Sequence, residues 1–119
     1  MFINVSNHHS SNWSSKQIEA CQPYGSIIDI PFPNVSPYYT KEEVENLAKE
    51  YLKKILDYKN PTVMIQGEFS FTYALVNLCK EKHIQTVASC SERKVDEYMD
   101  QDGITHKKSH FDFVCFRPY

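Results

Sequence analysis

The 119-residue sequence is poor in glycine, with three in all, and they form neither a G-x-G-x-x-G fingerprint nor a P-loop. H-E-x-x-H and the nucleophile elbow are missing as well, so dinucleotide oxidoreductase and NTPase readings lose their usual support. Four cysteines (Cys21, Cys79, Cys90 and Cys115) include no C-x-x-C pair, which argues against a zinc knuckle and a dithiol redox motif. The formal charge of −2 carries no basic excess of the kind that long duplex nucleic acid rewards. A small anionic ligand held by backbone amides and a few cations is compatible with that charge. No apolar run is long enough to cross a bilayer, and Met1 leads into a strand pattern rather than a signal peptide. The expectation is a cytoplasmic protein with free thiols, no membrane partner and no cofactor.

With 41% apolar and 24% charged residues, the composition is that of an ordinary globular protein, and the length fits one domain over residues 1–119. Phe2-Ile3-Asn4-Val5 reads as a strand and is followed by the polar loop Ser6–Trp13. A helix over residues 16–22, capped by Ser14 or Ser15, ends at Pro23-Tyr24-Gly25. Residues 26–30 form the second strand, stopped by Pro31 and Pro33. Thr40 and Glu43 make a capping box for a long amphipathic helix in which Val44, Leu47, Ala48, Tyr51, Leu52, Ile55 and Leu56 recur at helical spacing. Its charges read as a solvated face.

Thr62-Val63-Met64-Ile65 is a buried strand, Gln66-Gly67-Glu68 a tight corner, and residues 69–82 a helix. Residues 84–88 form the fourth strand, which the polar run Ser89–Lys94 is expected to break. Val95–Tyr98 and Ile104–Arg117 then form a hairpin about Asp102-Gly103. The order β-α-β-α-β-α-β-hairpin predicts an α/β sandwich with a mainly parallel sheet and a C-terminal antiparallel β-hairpin. Right-handed crossovers bring the loops after the first, third and fourth strands to one rim, where α/β sheets bind ligands.

That rim offers Asn7, His8, His9, Ser10, Ser11 and Asn12, then Gln66, Gly67, Glu68, Ser70 and Thr72, then Ser89, Ser91, Glu92, Arg93 and Lys94. The set is rich in donors and suits phosphates and base edges. Gly67 before a helix either admits a ligand to the backbone and to free helix amides, or merely permits a left-handed turn. His8 and His9 are adjacent, so their side chains point apart and make a poor metal site; a donor or acid–base role toward phosphate fits better. Cys90 is either a nucleophile or passive, and the cysteine-to-arginine spacing of phosphatases is absent. Arg93 suits bidentate phosphate recognition, or else pairs with Glu92 or Glu68. Trp13 is a stacking platform or part of the core.

The run V-M-I-Q-G-E-F-S-F-T-Y-A-L-V-N, the turn S-C-S-E-R-K and the D-G hairpin ending H-F-D-F-V-C-F-R-P-Y resemble small stand-alone CARF-like CRISPR-associated proteins of type III systems. Several of those are regarded as ring nucleases that degrade cyclic oligoadenylate messengers. The opening S-N-H-H-S-S-N-W is more loosely similar to an S-R-H-P…W pattern in a related group, with His9 where that group has proline. The resemblance covers residues 62–119. It implies a Rossmann-like CARF fold, a homodimer, and cyclic oligoadenylate, cyclic tetra-adenylate above all, bound across the two-fold axis. It also implies metal-independent cleavage by attack of a ribose 2′-hydroxyl. The implied binding set is Asn7, His9, Ser10, Gln66, Gly67, Glu68, Phe69, Thr72, Ser89, Ser91 and Glu92, with Arg93, His8 and Lys94 as catalytic candidates. The alternative it leaves open is a non-catalytic sensor or sponge for the same ligand.

Overall fold

The computed structural model describes residues 1–119. Five strands, β1 (Phe2–Ser6), β2 (Ile27–Asp29), β3 (Thr62–Gln66), β4 (Gln85–Met99) and β5 (Thr105–Pro118), form one sheet in the order β2-β1-β3-β4-β5. The first four pair in parallel and β5 runs antiparallel to β4. The helices are α1 (Ser15–Cys21), α2 (Lys41–Leu56) and α3 (Phe69–Glu81), and none is long and apolar enough to cross a membrane. This is the Rossmann-like, mainly parallel α/β sheet with a C-terminal antiparallel hairpin that the sequence predicts.

Strand alternation divides the interior into two unequal cores. Ile3, Val5, Val63 and Ile65 project to one face and join the buried faces of α2 and α3 in a cluster of 14 residues. Phe2 and Met64 project to the other face, where only Cys21 and Val87 complete a buried cluster of four. Parallel strands covered on both faces are apolar throughout, and β1 and β3 follow that rule except at Asn4, which is buried within β1, and at the strand ends Ser6, Thr62 and Gln66. The helix α2 begins at the expected capping box: Glu43 N–H donates to Thr40 Oγ1 at 3.1 Å, and Thr40 N–H donates to Glu43 Oε1 at 3.3 Å.

The fourth strand departs from expectation. Ser89–Lys94 is not a loop, because β4 runs unbroken from Gln85 to Met99. It pairs with β3 only over Gln85–Val87, then leaves that neighbour and continues against β5 as far as Met99. A strand bonded on one edge and wetted on both faces has no core to match, so its polar residues resemble a loop in sequence. Asp100 organises the far turn: its Oδ1 accepts the N–H groups of Asp102 and Ile104, both at 2.9 Å. Gly103 supplies the positive φ of 78° that this turn requires.

The resulting two-stranded arm gives the molecule principal extents of 56 × 38 × 21 Å and a radius of gyration of 17.3 Å. A compact chain of this length has a radius of only about 13–14 Å.

Candidate functional site

A sheet ordered 2-1-3-4-5 changes winding direction between β1 and β3, and the crevice beyond the carboxyl ends at such a switch point is where these folds hold ligands. A cavity of about 770 Å³ lies there, inside the range of roughly 300–1,000 Å³ common for ligand clefts. Ser6, Asn7, His8 and Asn12 line it from the loop after β1, and Gln66 and Gly67 from the corner after β3. Ser89 and Ser91 of β4, Phe111 and Phe113 of β5, and Trp13, Ser14, Gln17 and Met64 complete the lining. Three rim segments distant in sequence therefore meet at one concavity.

Buried polar groups fix the first segment. Two donors converge on the carbonyl of His8, Asn4 Nδ2 at 2.8 Å and Trp13 Nε1 at 3.1 Å, while Ser6 Oγ gives its one proton to Asn4 Oδ1 at 2.6 Å. This clamp holds the backbone of His8, a residue of the cavity lining whose imidazole makes no hydrogen bond within the chain. Asp29 at the end of β2 pins the next residues. Its Oδ1 accepts from Asn4 Nδ2 at 2.7 Å and from Ser10 N–H at 2.9 Å, and its Oδ2 accepts from Ser10 Oγ at 2.6 Å. His9 Nε2 lies 3.3 Å from the same oxygen. Burial alone would raise the pKa of Asp29, but the bonds from Ser10 and Asn4 and the nearby His9 outweigh it and hold the carboxyl below its ordinary value. His9 and Ser10 are thus turned away from the main cavity. His9 and Asp29 line a smaller one of about 300 Å³ beside it.

The second segment serves partly to hold the fold together. Gln66 Oε1 accepts the Ser89 N–H at 2.8 Å, bridging the gap where β4 parts from β3. Glu68 is the N-cap of α3: it accepts from the N–H groups of Ser70 at 3.0 Å and Phe71 at 2.8 Å. Those bonds, Phe71 foremost, keep its carboxyl ionised to lower pH than usual. The helix amides expected to be free for an anion are therefore occupied by this side chain. Gly67 has no positive φ; a Cβ there would lie 2.4 Å from the ring of Phe32, which covers the backbone where a ligand was expected. Phe69 is exposed and lies outside both cavities. Thr72, in the second turn of α3, has a buried hydroxyl without a partner and does not line either cavity.

Along the arm, register decides which residues belong to the site. Ser91 stands opposite Phe113 and Arg93 opposite Phe111, and opposed residues share a face. Arg93 therefore projects on the cavity side, one step beyond the lining. It forms no salt bridge with Glu92, which alternation places on the other face, or with Glu68, which is spent on its helix. Lys94 shares the far face with Glu92 and is ion-paired to Asp112 at 3.0 Å; that carboxylate, through its hydrogen bond first, raises the pKa of Lys94. Cys90 is directly opposite Cys115 rather than beside Arg93. Burial pushes the thiol of Cys21 up to about 11 and that of Cys79 to about 12, as expected of core cysteines.

His8 is the one ionisable residue of the main cavity's lining. Its walls are hydroxyls, carboxamides and aromatic rings, a set that recognises base edges, ribose hydroxyls and ring faces better than bare phosphate. Asn4, Asp29, Phe111 and Phe113 were not among the expected functional residues. The signal for the first two was present, since Asn4 and Asp29 interrupt the apolar runs Phe2–Val5 and Ile27–Ile30, and buried polar groups in strands need partners.

No curated protein matches this sequence. The family model described as the Uncharacterized protein MJ1673 family matches residues 1–117, and the chain belongs to that family.

Proposed function

We propose that the switch-point cavity binds a cyclic oligoadenylate, with cyclic tetra-adenylate as the preferred ring, in a homodimer that faces two such cavities toward one symmetric ligand. One observation carries this reading: the segments after β1 and β3 and the departing end of β4 converge on a donor-rich concavity edged by Trp13 and the exposed ring of Phe111. Aromatic edges stack adenines, and the amides and hydroxyls of Asn7, Asn12, Gln66, Ser89 and Ser91 meet base edges and riboses. Arg93, free of ion pairs at the lip, is the cation for phosphate.

Ring cleavage in this arrangement needs no metal. The 2′-oxygen of a ribose bonds to the adjacent phosphorus, the bond from phosphorus to the 5′-oxygen breaks, and a 2′,3′-cyclic phosphate remains. In this reading His8, held at its carbonyl and free of hydrogen bonds at its imidazole, takes the 2′-hydroxyl proton or returns one to the 5′-oxygen. Arg93 offsets the charge developing on phosphorus. The geometry of Lys94, turned to Asp112, gives it no part. A second reading, a sensor or sponge that binds without cutting, draws on the near absence of ionisable groups from the cavity wall.

Incubation with cyclic tetra- and hexa-adenylate in EDTA, with products resolved by chromatography, separates the two. Linear products ending in a 2′,3′-cyclic phosphate are expected, and His8→Ala should abolish them while retaining affinity. Binding without turnover would remove the enzymatic claim and leave the sensor. Unchanged affinity in Arg93→Ala would remove that residue from the site.

A further inference from the structure

Beyond Val87 the strand β4 has a neighbour on one side only, because its pairing with β3 stops there while its pairing with β5 continues to Met99. Every residue from Ser91 to Met99 is exposed. Backbone direction along β4 is fixed at both ends. Tyr119 N–H donates to the Thr86 carbonyl and Asp100 N–H to the Ile104 carbonyl, both at 3.0 Å, so even-numbered residues turn their polar groups toward β5. Ser89 N–H turns the other way, to Gln66. Alternation then leaves the N–H and C=O groups of Ser91, Arg93, Val95, Glu97 and Met99 open on the free edge.

Such an edge templates pairing with another chain unless the sequence blunts it. The outer edge of the arm, β5, is blunted by the adjacent Lys107 and Lys108, by a bulge at Val114 and by Pro118. On β4 both signs are present, in an order that reverses about Val95: Lys94 and Arg93 precede it, Asp96 and Glu97 follow it.

We infer that β4 pairs antiparallel with β4 of a second copy about a two-fold axis at Val95, joining two arms into one four-stranded sheet. Charge selects the register. Residues whose polar groups face the free edge must oppose one another, which permits only every second register. Centred on Val95, Arg93 meets the partner's Glu97 and Lys94 meets the partner's Asp96, each pair occurring twice. Centred on Arg93, Lys94, Asp96 or Glu97, that residue faces its own copy across the axis, and like charges directly opposed are destabilising.

The ladder extends ion pairs already made within each arm. Glu97, 3.6 Å from Lys107, gains a second cation, and Lys94, 3.0 Å from Asp112, a second carboxylate. Main-chain bonds supply the affinity of strand addition, and a four-stranded sheet replaces two ribbons that are each marginal in water. The axis is normal to the sheet, so both cavities open on the same side of it. The guanidinium of Arg93 has five N–H donors, and a carboxylate at one edge leaves others for phosphate. This edge gives the dimer of the functional reading its surface and rests on that reading only for the dimer's existence.

Sedimentation of the ligand-free chain over a wide concentration range tests the edge without any ligand. The wild-type chain should be a dimer. Arg93→Glu should raise the dissociation constant at least tenfold, and adding Glu97→Arg to it should restore the dimer. These positions are exposed, so circular dichroism should show the variants folded. Cross-linking reads the register directly. Under a mild thiol oxidant Val95→Cys should join two chains beyond the wild-type level, because position 95 opposes itself at about 5.5 Å between Cα atoms. Glu97→Cys should not, since its two copies lie about 13 Å apart along the strands. A dimer indifferent to Arg93→Glu, or equal cross-linking at positions 95 and 97, overturns the edge and leaves the dimer. A wild-type monomer at every concentration overturns both.

Discussion

One strand, β4, passes through two regimes within a few residues. Up to Val87 it lies between β3 and β5 with its apolar residues in a core; beyond Cys90 it has a partner on one edge and water on both faces. In the body, packing against helices decides the structure, whereas in the arm cross-strand pairs decide it. Stability therefore resides in the body, and the arm is free to carry contact residues that a core would not tolerate.

The largest expected effect contrasts two phenylalanines. Phe71 is fully buried between the rings of Phe32 and Tyr51, at centroid distances of 5.1 and 5.2 Å. Phe71→Ala should cost about 3–5 kcal/mol in urea unfolding, while Phe111→Ala should stay within about 0.5 kcal/mol for the monomer. Equal losses would mean that the arm is part of the cooperative core.

Next comes Asp29, whose removal leaves the donors of Asn4 and Ser10 unpaired. Asp29→Ala should cost about 1.5–3 kcal/mol. Because the folded-state pKa lies below the ordinary value, the contribution is complete above the unfolded aspartate pKa of about 3.9 and disappears as pH falls from there through the lower folded value. Unfolding measured down the acid range should show a shallower fall for the variant than for the wild-type chain. Parallel curves would contradict the network.

Gly67→Ala should follow, at about 1–3 kcal/mol, since the added methyl must displace the ring of Phe32. A backbone angle is not the reason here, so restoring space with Phe32→Leu should rescue it in part. The smallest effect tests the arm alone. Directly opposed residues bring Cys90 and Cys115 within about 4.5–5.5 Å at Cα, a separation a disulfide spans. A mild thiol oxidant should join these two within one chain and spare the buried Cys21 and Cys79, as peptide mapping would show. Failure to join them would break the register on which the placement of Arg93 depends.

Most of the body was legible in the sequence because its strands are continuous apolar runs between proline, asparagine and capping signals. Thr40 and Glu43 announced α2, and Thr62–Ile65 announced the central strand. The arm was not legible, because Ser89–Lys94 buries nothing and its strand character depends on partners 16 to 27 residues away. Register is invisible in such a segment until the partner is known. The candidate site was read in part. Asn7, His8, Gln66, Gly67, Ser89 and Ser91 do meet at the cavity, but Glu68, directly before α3, caps that helix instead of facing a ligand. The aromatic residues Phe111 and Phe113 of the lining have no signal in the sequence because they belong to the arm.

The central claim, that the β1/β3 switch point is where a cyclic nucleotide binds, has a built-in reporter, since Trp13 is the sole tryptophan and lines that cavity. Titration of cyclic tetra-adenylate in EDTA, followed by tryptophan fluorescence, should give a saturable change that Ser91→Arg, filling the cavity, abolishes. A fluorescence signal indifferent to the ligand, or a saturable one untouched by Ser91→Arg, would contradict it.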